Sequence, residues 1–215
     1  MTSNNFSLRL VAAAAMLGLS GVSQAALTVY TTQASFQAAV ISPGTDTLDD
    51  LVVGTSIGPA VLSRTAGSYS YDATSDFFVA GAGTDAWLST TNTTDVLVFG
   101  NFGGGVRAAG GLFFGSDFAG DFLAGQSIKV VATDASGSNT QTLLNTTTST
   151  FLGFVSTGSM ISLTVTAVGS NVDVWPTVNN LVLASAMPVP EPETYAMMLT
   201  GLGLVGFLAR RRRRA

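Results

Sequence analysis

Aspartate is the side chain most able to do charge chemistry in this sequence. Between Ala26 and Val189 all eleven acids are Asp, against only Arg64, Arg107 and Lys129, so this stretch carries a net charge of −8. The chain has no Cys and no His. That removes disulfides, thiolate or imidazole metal ligands, and Ser–His–Asp or Cys–His catalysis. Carboxylates and loop carbonyls are hard oxygen donors that suit Ca²⁺. Asp46, Asp49 and Asp50 cluster, Asp117 and Asp121 flank a turn, and Asp173 precedes Trp175. Asp46, Asp49 and Asp173 are the candidate set for one calcium ion. No complete Asp-x-Asp-x-Asp-Gly loop is present, and turn capping and solubility account for the same residues more simply. The expected cofactor is therefore none, with Ca²⁺ as the alternative.

Two carboxylates at a suitable separation, one with a raised pKa, could cleave a glycosidic bond. No such pair stands out, and Ala26–Val189 contains no Glu. Gly100–Gly105 and Gly110-Gly111 lead into the strand-like Leu112-Phe113-Phe114 with no Lys behind them, so a glycine-rich β-turn is expected in place of a phosphate cradle. Trp87, Trp175, Tyr69, Tyr71 and Phe102 could form a platform for sugar rings, or could simply be core. Binding nucleic acid or anionic lipid draws on Lys and Arg, and the −8 body is not built for it. The expectation is a protein without enzymatic activity.

These residues sit among short runs of Val, Leu, Thr and aromatics, separated by Gly, Ser, Asn and Asp. The pattern predicts strands near 27–30, 47–53, 60–64, 69–73, 77–80, 85–90, 95–99, 109–114, 127–134, 140–145, 150–155, 160–168 and 177–184. Thr31 or Thr32 can cap one helix over Gln33–Ile41, with Phe36, Ala39 and Val40 as its apolar stripe. Ile161, Leu163 and Val165 should face inward, alternating with Ser162, Thr164 and Thr166. The expected fold is an all-β antiparallel sandwich of the jelly-roll kind over residues 26–186, with one short N-terminal helix.

Both ends read as addresses. Arg9 precedes the apolar run Leu10–Leu19, and Ser23-Gln24-Ala25 places small residues at −3 and −1. This is a three-part signal peptide over residues 1–25, with cleavage between Ala25 and Ala26. It implies the Sec translocon and signal peptidase as partners. At the other end, alternating Pro188, Pro190 and Pro192 make a stiff linker across residues 187–194. Residues 195–209 then form fifteen uncharged, mostly apolar positions. As a helix they span about 22 Å at 1.5 Å per residue, shorter than a ~30 Å hydrocarbon core. Tyr195 and snorkelling arginines make up part of the deficit. Arg210, Arg211, Arg212, Arg213 and Arg214 would hold the 210–215 end in the cytoplasm, leaving a transmembrane helix at 195–209 and the body on the far side of the inner membrane.

Val189-Pro190-Glu191-Pro192, an aromatic three residues on, an apolar segment with spaced Gly and a terminal Arg cluster together resemble the PEP-CTERM sorting domain. The resemblance covers about residues 188–214. One departure is Glu193-Thr194-Tyr195, where family members more often have a small polar residue and then Trp. The resemblance implies an exported protein of a Gram-negative bacterium with an exosortase, and a link to exopolysaccharide or biofilm. It implies that Pro190, Glu191 and Pro192 are recognised by that membrane transpeptidase, which removes or exchanges the tail. The body also resembles, in layout, the β-sandwich bodies of this class, with its Leu27–Tyr30 opening strand and the closing run Asn171–Leu181. The sequence therefore points to an exosortase substrate of the cell surface or extracellular matrix, held in the inner membrane on the way. A carbohydrate- or calcium-binding module is the alternative, and a polysaccharide-active enzyme a weaker one.

Overall fold

A computed structural model describes residues 27–169, 173–187, 197–203, 205 and 210. The signal peptide with its Ala25/Ala26 junction, Pro190–Pro192 and Arg211–Arg214 lie outside the described residues. Residues 27–187 belong to one compact unit and the C-terminal described residues to another.

The body is antiparallel β throughout. Strand β1 (Leu27–Tyr30) is followed by helix α1 (Gln33–Ala38), then β2 (Val40–Asp46), β3 (Ser56–Ala66), β4 (Tyr69–Ala82), β5 (Asp85–Thr90) and β6 (Leu97–Gly100). The series continues with β7 (Ala108–Ser116), β8 (Phe122–Leu123), β9 (Ser127–Asp134), β10 (Gly137–Leu143), β11 (Phe151–Ser156), β12 (Met160–Val168) and β13 (Trp175–Ala186). Hydrogen bonding runs unbroken in the order β1-β11-β7-β13-β5-β4-β6-β12-β9-β10, with β2 on β13, β3 on β4 and β8 on β7. Across the core β12 packs on β13 and β9 on β7. The expected all-β antiparallel body is present, but its layers are joined into a single, nearly closed sheet and do not form two separate jelly-roll sheets.

Strand β4 makes that join. The sequence suggested two strands, 69–73 and 77–80, because Ser75-Asp76 reads as a break. The chain instead continues, paired to β3 from Tyr69 to Phe78, while its other edge passes from β6 at Asp72–Thr74 to β5 at Phe77–Ala82. Leaving one neighbour for another in mid-strand turns the sheet's corner without a loop. The β3–β4 hairpin closes on Gly67, whose φ of 61° at the first turn position is where glycine is favoured in tight hairpins.

Three further expectations need correcting. Residues 47–53 are turn and bend, and the strand there is β2, upstream at Val40–Asp46. The helix ends at Ala38, capped at its start by the Thr32 side chain accepting from the Ser35 amide at 3.3 Å. Ile161 is 53% exposed, because a bulge between Met160 and Ser162 puts Met160 inside and restores the inward phase only at Leu163 and Val165.

The main core gathers Phe77, Phe99, Phe113, Phe154, Leu163 and Leu181 between the layers. A second cluster of Phe36, Val40, Ala108, Phe151, Val182 and Ala184 lies under α1. Phe36 fits there only because Gly153 of β11 has no side chain: a Cβ at Gly153 would lie 2.4 Å from the ring. Gly153→Ala should therefore destabilise the body by about 1–3 kcal/mol through overpacking. Chemical denaturation checks it, and pairing the change with Phe36→Leu should recover part of the loss.

In the C-terminal unit residues 197–203 are helical, within the 195–209 segment expected to span the membrane. Among the described residues no helix is long and apolar enough to cross a membrane, and the rest of that segment lies largely outside them.

Candidate functional site

Polar chemistry gathers where the end of β2 meets the β3–β4 hairpin. Antiparallel register sets Arg64 of β3 directly opposite Tyr71 of β4. Both reach Asp46, the last residue of β2. Arg64 Nε donates to Asp46 Oδ2 at 2.7 Å and Arg64 Nη2 to Oδ1 at 2.8 Å. The Tyr71 hydroxyl donates to Oδ2 at 2.7 Å and the Leu48 amide to Oδ1 at 3.0 Å. Asp46 is 6% exposed, and its two oxygens accept from four donors. The guanidinium also donates to Asp50, which is 70% exposed on the following turn, at 2.6 Å.

The ionisation states follow. The hydrogen bonds that Arg64 donates to Asp46, opposed by burial and helped by Asp50, push the Arg64 pKa well above its ordinary value. Burial first, then the Asp46 charge, pushes the Tyr71 phenol far up, so it stays protonated as a donor. The Arg64 hydrogen bond holds Asp50 below the usual carboxylate range.

On the next pair of the ladder, Ser63 faces Asp72. The Ser63 hydroxyl donates to Asp72 Oδ1 at 2.7 Å, and Asn101 Nδ2 donates to Oδ2 at 2.7 Å. These two bonds, Ser63 first, hold Asp72 below its ordinary value. Asn101 reaches it from the turn after β6 with a φ of 48°, in the left-handed region that Asn tolerates. The neighbouring glycines form the expected turn. Gly103 donates its amide to the Ser70 carbonyl at 2.8 Å, and a Cβ there would collide with Ser70 Oγ at 2.2 Å.

Asp50, Ser63, Arg64, Thr65, Ser70, Tyr71, Asp72 and Asn101 line an open cleft of ≈ 520 Å³. Its carboxylates are anionic acceptors and its Arg is already paired. It can accept hydrogen bonds from hydroxyls, and neither Asp50 nor Asp72 is held high enough to carry a proton near neutral pH. An acid–base glycosidase needs one carboxyl with a raised pKa, which this pair does not supply.

The structure disperses the calcium candidates. Asp46 gives both oxygens to Arg64, Tyr71 and Leu48, while Asp49 Oδ1 accepts from the Ala86 amide at 3.1 Å and ties its turn to β5. Asp173 is exposed, in the segment before β13. Among the described residues no three acidic side chains converge as a metal cluster. Asp134 shows the same stitching role. Burial raises its pKa, but the Ser136 and Ser156 hydroxyls and the Ser136 and Gly137 amides outweigh that and hold it low.

The aromatic candidates also separate. Trp87, Tyr69 and Tyr71 are core residues, and Trp87 donates to the Gly120 carbonyl at 3.2 Å while its ring meets Phe114 at 5.3 Å. Phe102 packs on the core. Trp175 is half-buried and bonded to the Thr91 carbonyl. Its ring is met at 5.9 Å by Phe118, which is 84% exposed. Sequence reading missed Phe118, because one aromatic in a polar turn carries no periodicity.

The fold and cleft define an antiparallel β body that stitches its turns together with aspartate. Its C-terminal sequence is more specific. Residues 188–214 match the family model of the PEP-CTERM protein-sorting motif, the C-terminal sorting signal of exosortase substrates. No curated protein and no solved structure gives a significant match to the chain.

Proposed function

We propose that this chain is an exported protein without enzymatic activity, processed by an exosortase and delivered to the cell surface or extracellular matrix, where it associates with exopolysaccharide. The observation that carries the reading is the sorting motif at residues 188–214. Signal peptidase and the Sec translocon act on Met1–Ala25, and the inner membrane holds the tail until exosortase acts. The absence of His and Cys, and the low pKa of both cleft carboxylates, support a binding role over a catalytic one.

A dedicated carbohydrate-binding module is the second reading, favoured by the cleft. Asp50, Asp72, Ser63, Ser70 and Asn101 match a sugar's hydroxyls, and anionic acceptors make the stronger hydrogen bonds.

The test compares the chain in cells with and without an exosortase, by intact mass and by fractionation into membrane, matrix and medium. The expected result is a matrix-associated chain starting at Ala26 and lacking the Arg run. An intact C-terminus through Arg214 in exosortase-bearing cells would sink the sorting claim. Failure of the body to sediment with the purified matrix polysaccharide would sink the exopolysaccharide claim separately.

A further inference from the structure

Every β-sheet that does not close has free edges, and an unprotected edge is a template for another strand. Most free edges of this body are blunted. β1 has only four residues and β8 two. β2 is broken by Pro43 and by Ser42 at a φ of 50°. β3 carries Pro59 and an irregular register between Ile57 and Ala60. Strand β10 ends the sheet path and has none of these devices. Its sequence is Gly-Ser-Asn-Thr-Gln-Thr-Leu, seven residues without Pro, charge or bulge, in unbroken register with β9. In an antiparallel ladder every second residue turns its N–H and C=O away from its neighbour. The side chains of Ser138, Thr140 and Thr142 are exposed, and so is the large apolar Leu144 just beyond.

Charge selects the occupant. Residues 127–145 hold one Lys and one Asp and are neutral, in a body of −8. Two such bodies repel through their Asp-bearing surfaces, and this neutral flank adds nothing to that repulsion. We infer that β10 pairs antiparallel with β10 of a second copy, forming a two-fold dimer through a continuous sheet. Full overlap of the strand with itself puts the axis at Thr140. Ser138 then faces Thr142 of the second copy, and Leu144 is carried over that copy's β9–β10 turn. The contact is isologous and closes at two copies, so it makes dimers and not fibres. One strand pair is smaller than the ~800 Å² per partner of a standard interface, so association is reversible and concentration-dependent.

The absence of native Cys gives a clean probe. Directly opposed residues of an antiparallel pair lie about 4.5–5.5 Å apart at Cα, within disulfide reach. Thr140→Cys in the body (residues 27–187, which has its own core) should cross-link into a dimer on mild oxidation. Val61→Cys, exposed on the blunted β3, should not. By sedimentation equilibrium the S138K/T142K variant, which opposes like charges twice across the axis, should associate roughly tenfold more weakly. S138K/T142E should restore association and melt close to wild type, whereas S138K/T142K should melt a little lower, because Thr142 lies opposite Lys129 of β9 and Ser138 shares a hydrogen bond with Thr133. A body that stays monomeric at about 1 mM, a concentration at which even a Kd of about 1 mM would show, overturns the proposal. So does Thr140→Cys cross-linking no faster than Val61→Cys, or wild-type association in S138K/T142K.

Discussion

A chain carrying Pro190→Ala and Pro192→Ala is expected to accumulate in the membrane with its Arg run intact, while wild type is recovered without it. The processed species should fall from the predominant form to a trace. Each Pro fixes φ and lacks an amide donor, and the sequence expectation of a stiff linker at 187–194 rests on the alternation of Pro188, Pro190 and Pro192. The ordering cost of binding in a cleft is then already met. Ala at two positions removes that stiffness and lets the segment join the apolar run behind it. Glu191→Ala should have a comparable effect through the lost charge, whereas Glu193→Ala, outside the Pro-Glu-Pro triplet, should be processed normally. Intact mass of the membrane and released fractions measures this. Equal processing of the double Pro variant would show that the match at residues 188–214 is not being read through its prolines.

The second large effect lies in the body. Asp46→Ala should cost about 3–5 kcal/mol, the range for breaking a buried ion pair on one side, and lower the melting temperature by roughly 6–20 °C for a domain of this size. The Tyr71 hydroxyl would lose its acceptor in the interior, and the Arg64 head would keep only the exposed Asp50, since both lost bonds to Asp46 are 2.7 Å long and poorly accessible to water. Asp50→Ala removes a bond of similar length, 2.6 Å, but from a partner 70% exposed, so its cost should stay below about 1 kcal/mol. The contrast is the test. Similar losses for the two variants would mean that the network holds the sheet no better than a surface pair. Replacing Asp46 and Arg64 together by Val and Met should cost less than the two single changes added, since no charge is then left buried alone.

Sequence and structure agree best where local chemistry is enough. β1, β5, β9 and β12 fall on the expected residues because their alternation or apolar runs stop at clear Gly, Asp or Ser breaks. The sorting motif was readable for a different reason: an enzyme reads it as a linear string. β2 was missed because Ser42-Pro43-Gly44 reads locally as a break, whereas pairing of Leu181–Ala186 with Val40–Asp46 holds it as a strand. The site was half visible. Asp46 stood out as a carboxylate, but its partners lie 18 and 25 positions away, and nothing in the spacing says that Arg64 and Tyr71 face each other across a hairpin. In the structure Asp46 acts as a staple, giving its oxygens to Arg64, Tyr71 and the Leu48 amide.

The order of the strands has a consequence for timing. β13 lies inside the sheet, bonded to β7, β2 and β5, yet it is the last strand of the body, and Pro190 opens the sorting motif just beyond its end at Ala186. A chain threaded N-terminus first cannot complete the sheet until its final strand has crossed. On the proposed export route the chain would cross as an unfolded thread, and its body would close only once Trp175–Ala186 had emerged. The sorting segment would then also act as a clock, since residues 188–214 follow β13 directly and would become available at about the moment the body is able to fold.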